Sequence, residues 1–409
     1  MIQPRQLRIE DFSYELPAEK IAYYPLEKRD ESKLLIWKED LVRESVFKNI
    51  INFIPSGSRF IFNETRVFQA RLAFKKNSGA AIEIFCLEPV APYTDIERAF
   101  SQKEHCVWRC IVGNARKWKS GKIEWIHNNG DSLKLYAELI EREEATFLIK
   151  FSWTPESCSF SEVTEHCGNV PLPPYIRRKT EPADKNAYQT VYAREEGSVA
   201  APTAGLHFTK NVLEQLEVSG MKQLKVVLHT GAGTFKPVSS ETLADHTMHT
   251  EKLQISKKTV EELLKPVSGI NIAVGTTTVR TLESLYWFGV KLTIEKRNFD
   301  FFISQWEVYD NYQNREISVE TSLQAVLDYM NRRDLEQLYG STGFMVVPGY
   351  KIRMADAILT NFHQPQSTLL LLVSAFTGDA WKEAYQYALQ HDFRFLSYGD
   401  ACLFFKKEV

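Results

Sequence analysis

The chain has 409 residues, 44% of them hydrophobic, enough to bury a sizeable core and to form two or three domains. Its 50 basic residues nearly balance 52 acidic ones, a net charge of -2, so no global field favours nucleic acid or membrane, and any nucleic-acid site must be a local patch. The cysteines (Cys86, Cys106, Cys110, Cys158, Cys167, Cys402) form no Cys-x-x-Cys pair, the N-terminus has no apolar signal region, and the longest apolar run, 369–373, is too short for a bilayer. These features argue against zinc, disulfides and a membrane span, and a soluble cytoplasmic protein is expected.

Residues 1–72 read as mixed α/β. The segment 12–17 is extended, a short helix around 18–23 meets Pro25, and strands are predicted at 33–37 and 59–63, the second buried and ending on a polar turn. Residues 73–153 change character. Strands are predicted at 81–87, 106–112, 122–126, 133–140 and 145–153, separated by turns such as Asn128-Asn129-Gly130-Asp131, with no good amphipathic helix between them. This pattern predicts a small antiparallel β-barrel inserted into the first fold. From 154 onward helices (211–218, 259–264, 279–288, 367–376, 380–390) alternate with strands (223–229, 270–274, 355–359), which predicts a parallel or mixed sheet. Leu323, Val326, Leu327 and Met330 have helical spacing, so 318–338 should hold a surface helix packing one apolar stripe.

Polar-glycine motifs punctuate the second half of the chain: Thr203-Ala204-Gly205-Leu206-His207-Phe208, His229-Thr230-Gly231-Ala232-Gly233-Thr234-Phe235, Gly275-Thr276-Thr277-Thr278-Val279-Arg280 and Thr360-Asn361-Phe362-His363. Each sets His, Thr, Asn or Arg beside an apolar run or a glycine turn, as an α/β enzyme does at the ends of buried strands. Together they point to one composite site. The Gly231-Ala232-Gly233 turn permits close backbone approach to a ligand, or is a tight loop with a satisfied histidine. It is no dinucleotide fingerprint, because Phe235-Lys236-Pro237 blocks the expected helix start. The threonines after Gly275 open a helix whose free amides suit a carboxylate or phosphate, or form an ordinary cap. Arg280 would bond a ligand carboxylate or pair with Glu283. Asn361 ends an apolar strand, where a hydrogen-bonding task or a structural turn explains it, and Phe362 offers a stacking face. His246 and His249 lie near Glu251, but a metal needs a third ligand and a defined geometry, so an acid/base or hydrogen-bonding role for His249 or Glu251 is favoured. Arg109, Arg116, Lys117, Lys119 and Lys122 surround Trp108 and Trp118, and Arg177-Arg178-Lys179 forms a second cluster; both fit RNA contacts, and both fit a solvated charged face.

Taken together the motifs resemble the S-adenosylmethionine:tRNA ribosyltransferase-isomerase family of the queuosine pathway. The likeness extends to Asp11-Phe12, Leu16-Pro17, Phe62-Asn63-Glu64-Thr65-Arg66-Val67, Pro171-Leu172-Pro173-Pro174-Tyr175-Ile176, Tyr188-Gln189-Thr190-Val191-Tyr192, Pro348-Gly349-Tyr350 and Phe395-Leu396-Ser397-Tyr398-Gly399-Asp400-Ala401. The resemblance implies an α/β main domain built from both chain ends (1–72 and 154–409) with an inserted small antiparallel β-barrel domain (73–153). It implies transfer and isomerisation of the ribosyl part of S-adenosylmethionine onto 7-aminomethyl-7-deazaguanine at the tRNA wobble position, giving epoxyqueuosine-tRNA, adenine and methionine. No cofactor beyond S-adenosylmethionine as substrate and no metal are expected, and the chain should be a monomer or weak homo-oligomer.

That chemistry needs a base, an acid and donors for hydroxyls and a carboxylate. By residue type, His207, His229 and His363 are the acid/base candidates. Gly231, Gly233 and Thr234 would line a substrate cradle, with Thr203, Phe235, His249 and Glu251 as further substrate contacts. Thr276, Thr277 and Arg280 would hold the methionine carboxylate or a phosphate, Asn361 and Phe362 a base or ribose, and Arg66 RNA. The chain departs from the family pattern at Thr230, Thr278, Met345-Val346-Val347 and Gln364, and carries an atypical insertion over 296–340 with Trp306. These departures leave two other readings open: a diverged tRNA-binding paralogue without turnover, and an enzyme that uses S-adenosylmethionine on another acceptor.

Overall fold

The computed structural model describes residues 3–76, 78–125, 132–231, 238, 240–296 and 299–406. Its strands in chain order are β1 (Lys33–Lys38), β2 (Leu41–Val46), β3 (Arg59–Asn63), β4 (Thr65–Val67), β5 (Arg71–Lys75), β6 (Ala81–Ala91), β7 (His105–Gly113), β8 (Lys122–Trp125), β9 (Lys134–Arg142), β10 (Phe147–Thr154), β11 (Gly168–Asn169), β12 (Glu195–Ser198), β13 (Lys222–His229), β14 (Glu251–Ser256), β15 (Asn271–Val274), β16 (Phe301–Ile303), β17 (Gln337–Thr342), β18 (Ala357–Asn361) and β19 (Ala401–Phe405). The helices are α1 (Ile96–Phe100), α2 (Phe160–Cys167), α3 (Asp184–Ala187), α4 (Lys210–Val218), α5 (Lys257–Leu264), α6 (Thr276–Glu295), α7 (Val319–Arg332), α8 (Thr368–Thr377) and α9 (Ala380–Gln390). Two compact units result: Met1–Glu64 with Thr190–Ala193 and Pro202–Val409, and Thr65–Gln189 with Arg194–Ala201. The second is wider than the 73–153 span expected, because β4, β5, α2, β11, α3 and β12 belong to it.

The first unit holds a ten-stranded sheet in the order β16-β17-β14-β13-β3-β15-β18-β19-β1-β2. The central strands β13, β3, β15 and β18 are mutually parallel. On either side β14 and β19 run against them. Strands β3, β18 and β19 are buried at every position, as expected where both faces are covered. One face packs Phe60, Phe62, Ile272, Val274, Ala357 and Leu359 against Phe47, Phe208, Val212 and Leu216. The other face lies under α6, whose Phe288 ring stacks on Phe301 of β16 at 4.5 Å between centroids. The 296–340 segment holds β16, α7 and most of β17; the two strands lengthen the sheet beyond β14. Ser318 caps α7, and Leu323, Val326, Tyr329 and Met330 are buried on its inner stripe.

Gly289 sets how closely α6 and α7 approach. A Cβ there would lie 2.1 Å from the Ser322 carbonyl oxygen and 2.3 Å from its hydroxyl. Gly289→Ala should therefore cost about 1–3 kcal/mol of stability, since an overpacked core must shift backbone. A fall in the urea midpoint checks this, and an unchanged midpoint would contradict the packing.

In the second unit β5, β6, β7, β10, β9 and β8 pair in sequence, and β8 closes on β5 to make an antiparallel barrel. Strict alternation along β6 and β7 turns Ile82, Ile84, Cys86, Cys106, Trp108 and Cys110 inward. One short helix, α1, interrupts the run where none was expected; Asp95 caps it. Of the two basic-aromatic clusters, Arg116, Lys117, Lys119 and Lys122 are exposed, while several other members are tied into the fold. Trp108 and Trp118 are buried, Arg109 pairs with Glu88 and Glu143, and Arg178 pairs with Asp184 at 2.6 Å. All six cysteines are free thiols. The Asn128-Asn129-Gly130-Asp131 turn lies outside the described residues. Among the described residues, no helix is long and apolar enough to cross a membrane, and no group of three or more His, Cys, Asp or Glu could hold a metal ion.

Candidate active site

Four adjacent parallel strands end on one edge of the large sheet: β13 at His229, β3 at Asn63, β15 at Val274 before Gly275, and β18 at Asn361. The edge beyond the carboxyl ends of parallel strands is where open α/β sheets bind ligands. Antiparallel β14 and β19 begin there, which brings Glu251 and the Asp400 turn to the same edge. The side chain of Asn63 extends the ladder. Its Nδ2 donates to the Leu228 carbonyl at 3.0 Å, and its Oδ1 accepts from the Leu228 amide at 3.0 Å.

His207 is buried on the Phe47 side, its ring stacked on that of Phe47 at 5.1 Å. Asn361 Nδ2 lies 3.0 Å from His207 Nε2, and Ser32 Oγ 2.8 Å from Nδ1. An amide nitrogen only donates, so Nε2 accepts and Nδ1–H donates to Ser32. Burial, then the positive charges of Arg394 and Arg29, push the His207 pKa down to about 3. His207 is thus a neutral ring with both nitrogens hydrogen-bonded. Asn361 keeps its Oδ1 buried and without a partner among the described residues.

The opposite face presents Arg280. Gly275 has φ +92°, a conformation that favours glycine, and turns the chain from β15 into α6. Thr276 and Thr277 are buried at that helix start, and Asn63 Nδ2 donates to Thr277 Oγ1 at 3.4 Å. Arg280 lies one turn further. Its Nε donates to the Phe344 carbonyl at 3.2 Å, its Nη1 pairs with Glu251, and its Nη2 is buried without a partner among the described residues. Arg280 therefore pairs with Glu251, not with Glu283. The Glu283 carboxylate instead accepts from the Tyr350 hydroxyl and from the amides of Arg353 and Met354; burial raises its pKa.

His363 is also buried, with Nε2 2.8 Å from Thr360 Oγ1. Its amide donates to Tyr385 Oη at 3.0 Å, and its carbonyl accepts from the Tyr14 hydroxyl at 2.5 Å. Burial lowers its pKa to about 3. Phe362 offers no stacking face, since its ring is fully buried among Tyr385, Phe393 and Phe395. His229 is only half-buried. It stands three strands from Asn361, about 14 Å in the sheet plane at the usual strand spacing. Thr203 begins the short helical turn that carries His207, and among the described residues nothing lies within 4 Å of where a Cβ on Gly231 would stand. Gly233, Thr234 and Phe235 lie outside the described residues. His249 is exposed in the loop before β14. Arg66 belongs to the barrel unit, ion-paired to Glu196 at 3.3 Å and Glu165 at 3.7 Å.

The two buried histidines make a pH prediction. Their folded pKa values lie below the ordinary 6.5, so the unfolded chain binds the protons first. Stability should be full above about pH 6.5 and fall as pH drops toward 3. A urea midpoint that stays flat over that range would contradict their burial as neutral rings.

Sequence reasoning passed over Ser32, which holds His207, and Asp400. The Asp400 carboxylate accepts from the amides of Lys33 at 2.9 Å and Arg394 at 2.7 Å, joining the Arg394–Asp400 turn to β1. Ser32 stands in no run that marks it, and Asp400 belongs to the 395–401 run without having been given a role. Asn63 carried the same signal as Asn361, a lone amide ending an apolar strand.

The family described as "Queuosine biosynthesis protein" matches residues 9–404. The S-adenosylmethionine:tRNA ribosyltransferase-isomerase of Halothermothrix orenii is 36% identical over 97% of this chain and 99% of its own. The protein of the same name from Thermotoga petrophila is 35% identical over 97% of this chain and 99% of its own. A solved structure titled S-adenosylmethionine tRNA ribosyltransferase, from Thermotoga maritima, is 27% identical, covers 96% of this chain and 99% of its own, and has a TM-score of 0.44. On the near full-length family match and these relatives, the chain belongs to the queuosine biosynthesis protein family.

Proposed function

We propose that the protein is an S-adenosylmethionine:tRNA ribosyltransferase-isomerase. It moves the ribosyl part of S-adenosylmethionine onto 7-aminomethyl-7-deazaguanine in the tRNA wobble position and rebuilds it, giving epoxyqueuosine-tRNA with loss of adenine and methionine. The observation that carries this reading is the convergence of the polar motifs on one edge of the sheet in a chain whose whole length matches the family.

The reaction requires removal of a proton from the carbon beside the sulfonium, help for the departing adenine, and a grip on the methionine carboxylate. His229 is the group suited to move a proton, because it is half-buried at a strand end while His207 and His363 are held neutral by burial. The latter two act as positioning residues, His207 by holding Asn361. The unpartnered Asn361 Oδ1 would accept from a ribose hydroxyl or an adenine amine. Arg280 Nη2 and the amides at the start of α6 would receive the methionine carboxylate. Arg66 would touch RNA. No metal or second cofactor is needed for these steps, and the protein works in the cytoplasm as a monomer or weak homo-oligomer. Adenine release from S-adenosylmethionine that depends on tRNA carrying the deazaguanine tests the reading. Adenine release that ignores the RNA, or none beside an active relative, would overturn it.

A further inference from the structure

Three strand ends meet in one row of the large sheet. Glu251 at the start of β14 aligns with Thr342 at the end of β17, and Thr342 aligns with Ile303 at the end of β16. Both partners of Arg280 come from this place: Glu251 itself, and the carbonyl of Phe344 just past β17. The chain that leaves β16 ties their two segments down. Gln305 Nε2 donates to the His246 carbonyl at 2.7 Å, and its Oε1 accepts from the Met248 amide at 2.9 Å. The Ile303 carbonyl accepts from the Gly343 amide at 2.9 Å. The Tyr309 hydroxyl donates to the Met345 carbonyl at 2.8 Å and accepts from the Val347 amide at 3.3 Å.

This brace is anchored on the helix that carries Arg280. Glu307 pairs with Lys291 of α6 at 2.6 Å, and its carboxylate also accepts from the Ser304 amide at 3.0 Å. Arg280 itself is held at Nε and Nη1, while Nη2 is buried without a partner among the described residues. A planar guanidinium aims its remaining nitrogen in a fixed direction only while its other contacts stay in place.

We infer that Gln305 and Tyr309 are positioning residues for Arg280. By fixing the backbones of 246–248 and 343–347 they fix Glu251 and the Phe344 carbonyl, and so the direction of the Nη2 that takes the methionine carboxylate. This inference rests on the proposed reading of Arg280 as the carboxylate's partner. It gives the 296–340 segment a task in substrate selection, since both side chains belong to it.

The test uses the full-length protein with an unmodified tRNA transcript, so that nothing turns over. S-adenosylmethionine and its analogue lacking the carboxylate are titrated in turn. The unchanged protein should prefer S-adenosylmethionine by about tenfold or more, the scale of hydrogen bonds to a charged group. Gln305→Met keeps the length of the side chain but makes neither bond, and Tyr309→Phe keeps the ring without its hydroxyl. Each should bind S-adenosylmethionine about tenfold more weakly, while the analogue binds as before. A merely structural brace would weaken both ligands alike. A preference kept in either folded variant, or a loss shared equally by the two ligands, would overturn the inference. Tyr309→Phe alone carries the test if Gln305→Met does not fold. Equal binding of the two ligands by the unchanged protein would count against Arg280 as the carboxylate's partner, and the inference would fall with that reading.

Discussion

Replacing His229 with alanine is expected to lower turnover by about a hundred- to ten-thousand-fold, the usual contribution of a positioned general acid or base. His229 closes β13 near Gly231 and is half-buried at the edge of the sheet. Truncating a half-buried side chain at a strand end should leave the circular dichroism spectrum and the urea midpoint almost unchanged. The paired result is diagnostic: a large fall in kcat with intact folding assigns His229 to the chemistry. Near-normal turnover would remove it, and the proton would then have to move through a group outside the three motif histidines. His363→Ala should differ in kind. Its ring lies buried against Thr360, so its loss should appear first in the urea midpoint.

Arg280→Ala is expected to destabilise the protein by about 3–5 kcal/mol, because it takes the guanidinium away from the buried Glu251 carboxylate. Both side chains are at most 7% exposed. The double change Arg280→Met with Glu251→Gln should recover most of that stability, since a charge-free pair no longer needs mutual compensation. It should not recover binding of S-adenosylmethionine if Arg280 Nη2 receives the methionine carboxylate. Chemical denaturation and substrate titration on the three proteins separate the two roles. A loss below about 1 kcal/mol in Arg280→Ala would contradict the buried pair, and normal substrate affinity in the double variant would confine Arg280 to structure.

The architecture was largely legible because its signals are periodic. The alternation in 81–113 announced barrel strands, and the apolar runs ending in Asn63, Val274 and Asn361 announced parallel strands with polar tips. What stayed hidden was set by tertiary neighbours. Strand β14 was missed because Glu251-Lys252-Leu253-Gln254 offers half its residues to solvent and its first carboxylate to Arg280. Helix α2 was missed although Ser159 and Glu162 form a capping box, since a helix of that length carries little periodicity. The same limit governed the site. Residue type alone made His207, His363 and Phe362 look like chemistry or stacking groups. The packing of Phe47 on His207, of Tyr385 and Phe395 on Phe362, and the bonds from Ser32 and Asn361 appear only in the folded chain. Arg280 was visible as a candidate, but its partner was not, because Glu251 reaches it only through the pairing of β14 with β13 and β17.

The most direct test of the central claim is the mass of the nucleoside recovered from tRNA after reaction. The purified protein is incubated with S-adenosylmethionine labelled in its ribose carbons and tRNA bearing 7-aminomethyl-7-deazaguanine, and the digested RNA is analysed by mass spectrometry. The account predicts a labelled nucleoside with the mass of epoxyqueuosine, formed in step with adenine. An unlabelled nucleoside, whether unchanged or carrying an added methyl group, would contradict it.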